Sequence, residues 1–118
     1  MAINPISDTT TKSLHMALDG LAQREQAIAS NVANLETPGY LAREVKFEDS
    51  LRAAIAGGRP TDMAVTVDRS LAPTRLNGNN VNIDIELMAS AENVLRQRLA
   101  GQALSCKYQL MRTAITGH

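Results

Sequence analysis

Residues 30–40, Ser-Asn-Val-Ala-Asn-Leu-Glu-Thr-Pro-Gly-Tyr, decide how this chain is read. They close a long apolar-striped segment and stop it at Pro38-Gly39. Traced backwards, the stripe is Leu14, Leu18, Leu21, Glu25, Ile28, Val32 and Leu35, stepping alternately by four and three, with Glu25 its polar member. That is the spacing of a helical packing seam, and Ala17, Ala22 and Ala29 widen it. A helix over 11–36 is roughly 38 Å long. Residues 1–10 lack periodicity and read as a flexible arm, with Ser7, Asp8, Thr9 and Thr10 as candidate caps. At the other end proline cannot donate an N–H and pushes Thr37 towards extended geometry. Thr37-Pro38-Gly39-Tyr40 fits a type II turn, with proline at the second position and glycine supplying positive φ at the third.

Beyond the turn, residues 40–47 alternate partly and suit an extended segment. Residues 47–56, with Leu51 and Ile55 four apart, read as a short helix ended by Gly57-Gly58. Residues 57–80 hold Gly57, Gly58, Pro60, Pro73 and Gly78, with Asn77, Asn79 and Asn80 beside them. A brief strand fits 63–67, and the rest reads as loop, compatible with disorder in an isolated subunit. A second long helix is expected over 81–118, with Asn82 or Asp84 as its cap and Glu86 in its first turn. Its stripe runs Met88, Ala91, Leu95, Leu99, Ala103, Cys106, Leu110 and Ala114, beside a second row of Leu104, Tyr108, Met111 and Ile115. The fold expected is therefore dominated by α-helix. Two long terminal helices form an antiparallel coiled-coil-like hairpin, and residues 37–80 carry a turn, a short helix and a loop.

An antiparallel pair covers one stripe of each helix and leaves the flanks wet. The second helix carries more apolar surface than one partner stripe covers. Small scaffolds with so thin a core need a disulfide, a metal or oligomerisation. Cys106 is the only cysteine, so no internal disulfide can form, and its apolar setting suggests a small buried hydrophobe. Oligomerisation remains, with the isolated subunit expected to be partly unfolded and to order on assembly. Leu14, Leu18, Leu21, Ile28, Asn31, Val32, Asn34, Leu35, Leu95, Leu99, Cys106 and Leu110 are the packing residues this predicts.

With 118 residues there is one domain, or one hairpin with an inserted loop, and the net charge is zero. The two signs are interspersed, against the basic stripe of a nucleic-acid binder. Tyr40, Phe47 and Tyr108 are the only aromatics, little material for a small-molecule pocket. No apolar run approaches the roughly 20 residues of a membrane span, and residues 1–12 have no secretory h-region.

Among polar residues, Asn31 and Asn34 are one helical turn apart. They read either as exposed helix asparagines or as interhelical hydrogen-bonding groups that fix register. Glu25 with Arg24 suggests a local or interhelical pair, and Asn77-Gly78 is a turn signal. His15 and His118 lack the companions of a metal site. No phosphate loop, activated nucleophile or acid pair with a pocket is present, so no catalytic residue, metal or cofactor is expected.

Three runs carry a family resemblance: Leu18-Asp19-Gly20-Leu21-Ala22, Ile28-Ala29-Ser30-Asn31-Val32-Ala33-Asn34, and Thr37-Pro38-Gly39-Tyr40. Together they resemble the N-terminal motif of bacterial flagellar rod and hook proteins. Gly78-Asn79-Asn80-Val81-Asn82-Ile83-Asp84, then Glu86-Leu87-Met88 and the ending Met111-Arg112-Thr113-Ala114-Ile115, resemble the proximal rod member of that axial family. The resemblance implies a structural subunit, not an enzyme. Such a subunit is exported unfolded by the flagellar type III apparatus without a cleaved signal. It polymerises with its own copies and other rod proteins into a periplasmic drive shaft, near the membrane-ring protein and its rod adaptor. The terminal helices would form the coiled-coil inner layer. Phe47 to Leu51 would correspond to a short hydrophobic export signal. Glu36 departs from the small polar residue the family often has there, and Arg96 and Arg98 make the second helix more basic than the family leads one to expect. A soluble helical adaptor or export chaperone is the competing reading.

Overall fold

In a computed structural model, which describes residues 9–117, the segment before Pro38 is helix α1, Thr9–Ala33. The chain continues through strand β1, Arg43–Lys46, helix α2, Glu48–Ala56, a single 3-10 turn, Pro60–Asp62, and strand β2, Thr66–Arg69. It closes with helix α3, Ile83–Thr116. The first eight residues of the expected arm lie outside the described residues, and Thr9 and Thr10 are already helical.

Local chemistry accounts for the boundaries. At the end of α1 the backbone tightens, Leu35 N–H reaching Val32 O at 3.2 Å. The turn then closes with Tyr40 N–H on Thr37 O at 3.2 Å and Gly39 at φ +74°. Asn82 caps α3, its Oδ1 accepting from Asp84 N–H at 3.0 Å. Gly117, at φ +74°, ends α3 with its N–H on Thr113 O.

The two long helices are antiparallel. His15 Nε2 lies 3.1 Å from Tyr108 Oη at one end, and Asn93 Nδ2 donates to Leu21 O at 3.0 Å nearer the middle. Strands β1 and β2 pair antiparallel, Arg43 opposite Arg69 and Lys46 opposite Thr66. The region 57–80 is thus partly regular, and its strand lies at Thr66–Arg69 rather than at 63–67.

The core is small. Leu21, Ala27, Val45 and Phe47 are buried, with Leu51, Met63, Val65 and Ala100 packed on them. It forms where β1 and the start of α2 press on the middle of α1. This corrects the seam expected for α3. Leu95, Leu99 and Leu110 are 57%, 58% and 68% exposed, and Cys106 is exposed rather than buried. The β1–α2 segment takes the apolar flank of α1 at Leu21 and Ala27, so α3 meets α1 along a more polar line. Glu86 and Asn93 are buried on that line, and Ser90, Gln97, Ala100, Leu104 and Met111 are half-buried. On α1, Leu21 and Ile28 are buried, Leu14, Leu18 and Leu35 are half-buried, and Val32 is exposed.

Candidate functional site

The two motif-bearing ends of the long helices meet in a clasp of asparagines. Asn79, fully buried, donates from Nδ2 to Asn34 O at 2.9 Å and Thr37 O at 2.8 Å, while its Oδ1 accepts from Val81 N–H at 2.7 Å. One side chain thus satisfies two carbonyls of the turn that leaves α1 and the backbone just before α3, groups that would be costly to bury unpaired. Asn80 Oδ1 accepts from Ala42 N–H at 2.7 Å, and its Nδ2 donates to Ser70 O at 3.0 Å and Ala72 O at 3.1 Å. Gly39 N–H donates to Asn77 O at 2.8 Å. The approach is tight, since a Cβ placed on Gly78 would lie 3.3 Å from Gly39 Cα. Arg75 spans the clasp, donating to Val81 O at 2.7 Å and to Leu35 O.

Asn31, buried on α1, works as a surrogate strand edge. Its Nδ2 donates to Arg43 O at 3.0 Å, and its Oδ1 accepts from Arg43 N–H at 2.8 Å and from Tyr40 Oη at 3.3 Å. Asn34 Nδ2 donates to Ser30 O at 2.8 Å, and its Oδ1 accepts from Thr37 Oγ1 at 3.0 Å. The backbone that both asparagines bind is that of their own helix and of the chain leaving it, not of α3. The interhelical polar links run from Asn31 to the Glu86 side chain, from Asn93, whose Nδ2 also reaches Glu25 Oε2 at 3.0 Å, and from Ser90, whose hydroxyl donates to Glu25 at 3.3 Å.

Arg24 pairs with Glu48, not with its neighbour Glu25. The closer contact joins Nη1 to Oε1, and a second, Nη2 to Oε2, is 2.8 Å long. The same guanidinium donates to Val45 O at 2.8 Å and lies 4.8 Å from the Phe47 ring centroid. Arg96 of α3 joins Glu48 at 3.3 Å, tying α1, α2 and α3 together. The Arg24 hydrogen bond holds the Glu48 carboxyl down to about 2, outweighing partial burial. Glu86 is the opposite case. Burial raises its pKa above the ordinary 4.5 and the charge of Glu44 adds to this, while a hydrogen bond from Asn31 opposes it.

The outer face of α3 is the other feature of note. Met88, Leu95, Leu99 and Leu110 share it with Cys106 and stand in water, the methionine 74% exposed. Exposed apolar rows of this length are uncommon on a protein that stays monomeric.

No protein-family model matches the chain. A flagellar basal body rod protein FlgB of Cereibacter sphaeroides is 31% identical, over 80% of this chain and 84% of its own length. The chain belongs to the FlgB family. The FlgB of Escherichia coli is 29% identical over 83% of this chain and 86% of its own length, and that of Bacillus subtilis 27% identical over 92% and 94%. Membership of the FlgB family makes this chain a component of the flagellar basal body rod.

The residues singled out in the sequence fall into three groups in this FlgB-family fold. Asn31, Asn34, Thr37, Gly39 and Tyr40 converge on the clasp, while Pro38 shapes the turn from outside. Leu21 and Phe47 are buried in the core, with Leu51 half-buried against it. Leu95, Leu99, Cys106 and Leu110 face outward. Asn79, Asn80 and Arg75, in a stretch that reads as loop in the sequence, are also members of the clasp. Their signal was the density of asparagines between Gly78 and Ile83. Among the described residues no group of three or more His, Cys, Asp or Glu is placed to hold a metal ion. No helix among them is long and apolar enough to cross a membrane.

Proposed function

We propose that the chain polymerises through its two long helices, within the periplasm, into the rod that carries torque from the membrane ring to the hook. One observation carries the reading: the apolar row of α3, including Leu95, Leu99 and Leu110, faces away from α1 and is exposed in the single chain. Burying such a row stabilises association by about 25 cal/mol for each Å² removed from water. The partners in this reading are further copies of the chain, other rod proteins, the membrane-ring protein and its rod adaptor. The type III export apparatus passes the chain unfolded and without a cleaved signal. Phe47 and Leu51 act as an export signal only before folding, because Phe47 is 4% exposed afterwards.

Replacing Leu95 and Leu99 together by aspartate tests the reading in a strain whose own copy is deleted. The expected result is secretion at the normal level, no completed hook and no motility. Normal swimming overturns the proposal, and loss of secretion overturns the packing role. Removal of residues 47–51 is expected to cut secretion instead; unchanged secretion removes the export-signal assignment. An adaptor or export chaperone would stay in the cytoplasm, so fractionation separates that reading from this one.

A further inference from the structure

We propose that Asn77 is a deamidation site whose reaction the closed clasp holds back. Of the eight asparagines in the chain, Asn77 alone is followed by glycine. Succinimide formation needs the next residue's amide nitrogen to swing onto the side-chain carbonyl, and glycine, lacking Cβ, leaves that path open. The Gly78 nitrogen attacks Cγ of Asn77 and loses its proton. The N–Cγ bond forms, the Cγ–Nδ2 bond breaks, and ammonia leaves. Water then opens the five-membered imide at either carbonyl, leaving aspartate or isoaspartate, with no change of oxidation state.

In the folded chain both reacting groups are tied elsewhere. The Gly78 N–H donates to Arg75 O at 2.9 Å, and Asn77 Oδ1 accepts from Asn79 N–H at 3.1 Å in an Asx turn. The Asn77 backbone is pinned from the other side by Gly39 N–H, 2.8 Å from its carbonyl oxygen. Attack requires the Gly78 amide to leave Arg75 O and the Asn77 side chain to rotate out of its Asx turn. At about 1 kcal/mol each, that slows the reaction at least about tenfold.

The product matters because of where it falls. Isoaspartate adds a methylene to the backbone between residues 77 and 78 and places a carboxylate beside it. Gly78 packs tightly on Gly39, where an added Cβ would lie 3.3 Å from the Cα. A chain held open before folding therefore accumulates a lesion at the point that joins its two helix ends, and a closed chain is spared.

The test incubates the full chain in neutral buffer and in denaturing urea at one temperature. It follows the peptide after Arg75 by mass spectrometry and measures isoaspartate by enzymatic methylation. Hydrogen exchange at Gly78 is read in the native sample. The expected result is deamidation confined to Asn77, at least about tenfold faster in urea, with Gly78 protected in native buffer. Equal rates in the two conditions overturn the proposal. So does an unprotected Gly78 amide in native buffer, or modification spread over Asn79, Asn80 and Asn82 in urea.

Discussion

Gly20 lies inside α1, where glycine ordinarily costs a helix about 1 kcal/mol against alanine. Here the missing Cβ lets Phe47 lie flat on the helix, since an added methyl would meet its ring at 2.6 Å. Overpacking of that kind costs about 1–3 kcal/mol, more than the propensity gained. Gly20→Ala should therefore lower the urea midpoint, and adding Phe47→Leu should restore much of it. Glu86 gives a second expectation. Its folded pKa is raised, so the stability tied to its protonated form is complete below 4.5 and is lost as pH rises through the folded value. Glu86→Gln should match the parent in acid and exceed it at neutral pH, as read from urea midpoints across that range. Glu48 runs the other way: its stabilisation is present above 4.5 and is lost as pH falls towards about 2. The two effects separate, because Glu48→Gln should fall below the parent above 4.5 and converge with it towards about 2, whereas Glu86→Gln departs from the parent only above 4.5.

At the scale of elements, α3 has two unlike faces. Glu86, Asn93 and Gln97 look towards α1, and Met88, Leu95, Leu99 and Leu110 look away. Leu99→Asp should leave the circular dichroism and thermal midpoint of the isolated chain nearly unchanged. Leu21→Ala, in the core, should cost about 2–4 kcal/mol in urea denaturation. The difference between them measures how far the apolar row of α3 is spared in a single chain. The sequence announced both helices, a cap at Asn82 or Asp84 and the short α2, because each follows from local chemistry within a few residues, whereas α1 stops at Ala33, ahead of the end at residue 36 that Pro38 led one to expect. It could not announce which row of α3 faces α1. Two apolar rows were visible, and the choice depended on Val45 and Phe47, remote in the chain, covering Leu21 and Ala27. Asn31 and Asn34 were legible as special, yet their partners were not. Asn31 binds the Arg43 backbone, whose position exists only once the turn has formed, and Asn34 turns back onto Ser30 O of its own helix.

As a whole the molecule is a thin blade, 64 × 28 × 14 Å, with a radius of gyration of 18.1 Å. A compact domain of this length would have a radius of about 13.5 Å. So extended a shape encloses little, and stability is expected to be uneven along it. Hydrogen exchange should be slowest around Leu21, Phe47 and Asn93 and fastest in the last turns of α3, where Leu110 and Ile115 are exposed. The outward apolar row of α3 carries one more consequence. Under the proposed polymerisation, folding and association become linked equilibria, because the surface withheld from the core is the surface offered to neighbours. The thermal midpoint should then climb with subunit concentration, by mass action, as it does for any fold stabilised by its own copies. A dilute chain and a concentrated one would differ in melting temperature though their sequence and buffer were identical, and the slope of that climb would give the strength of the contact between copies.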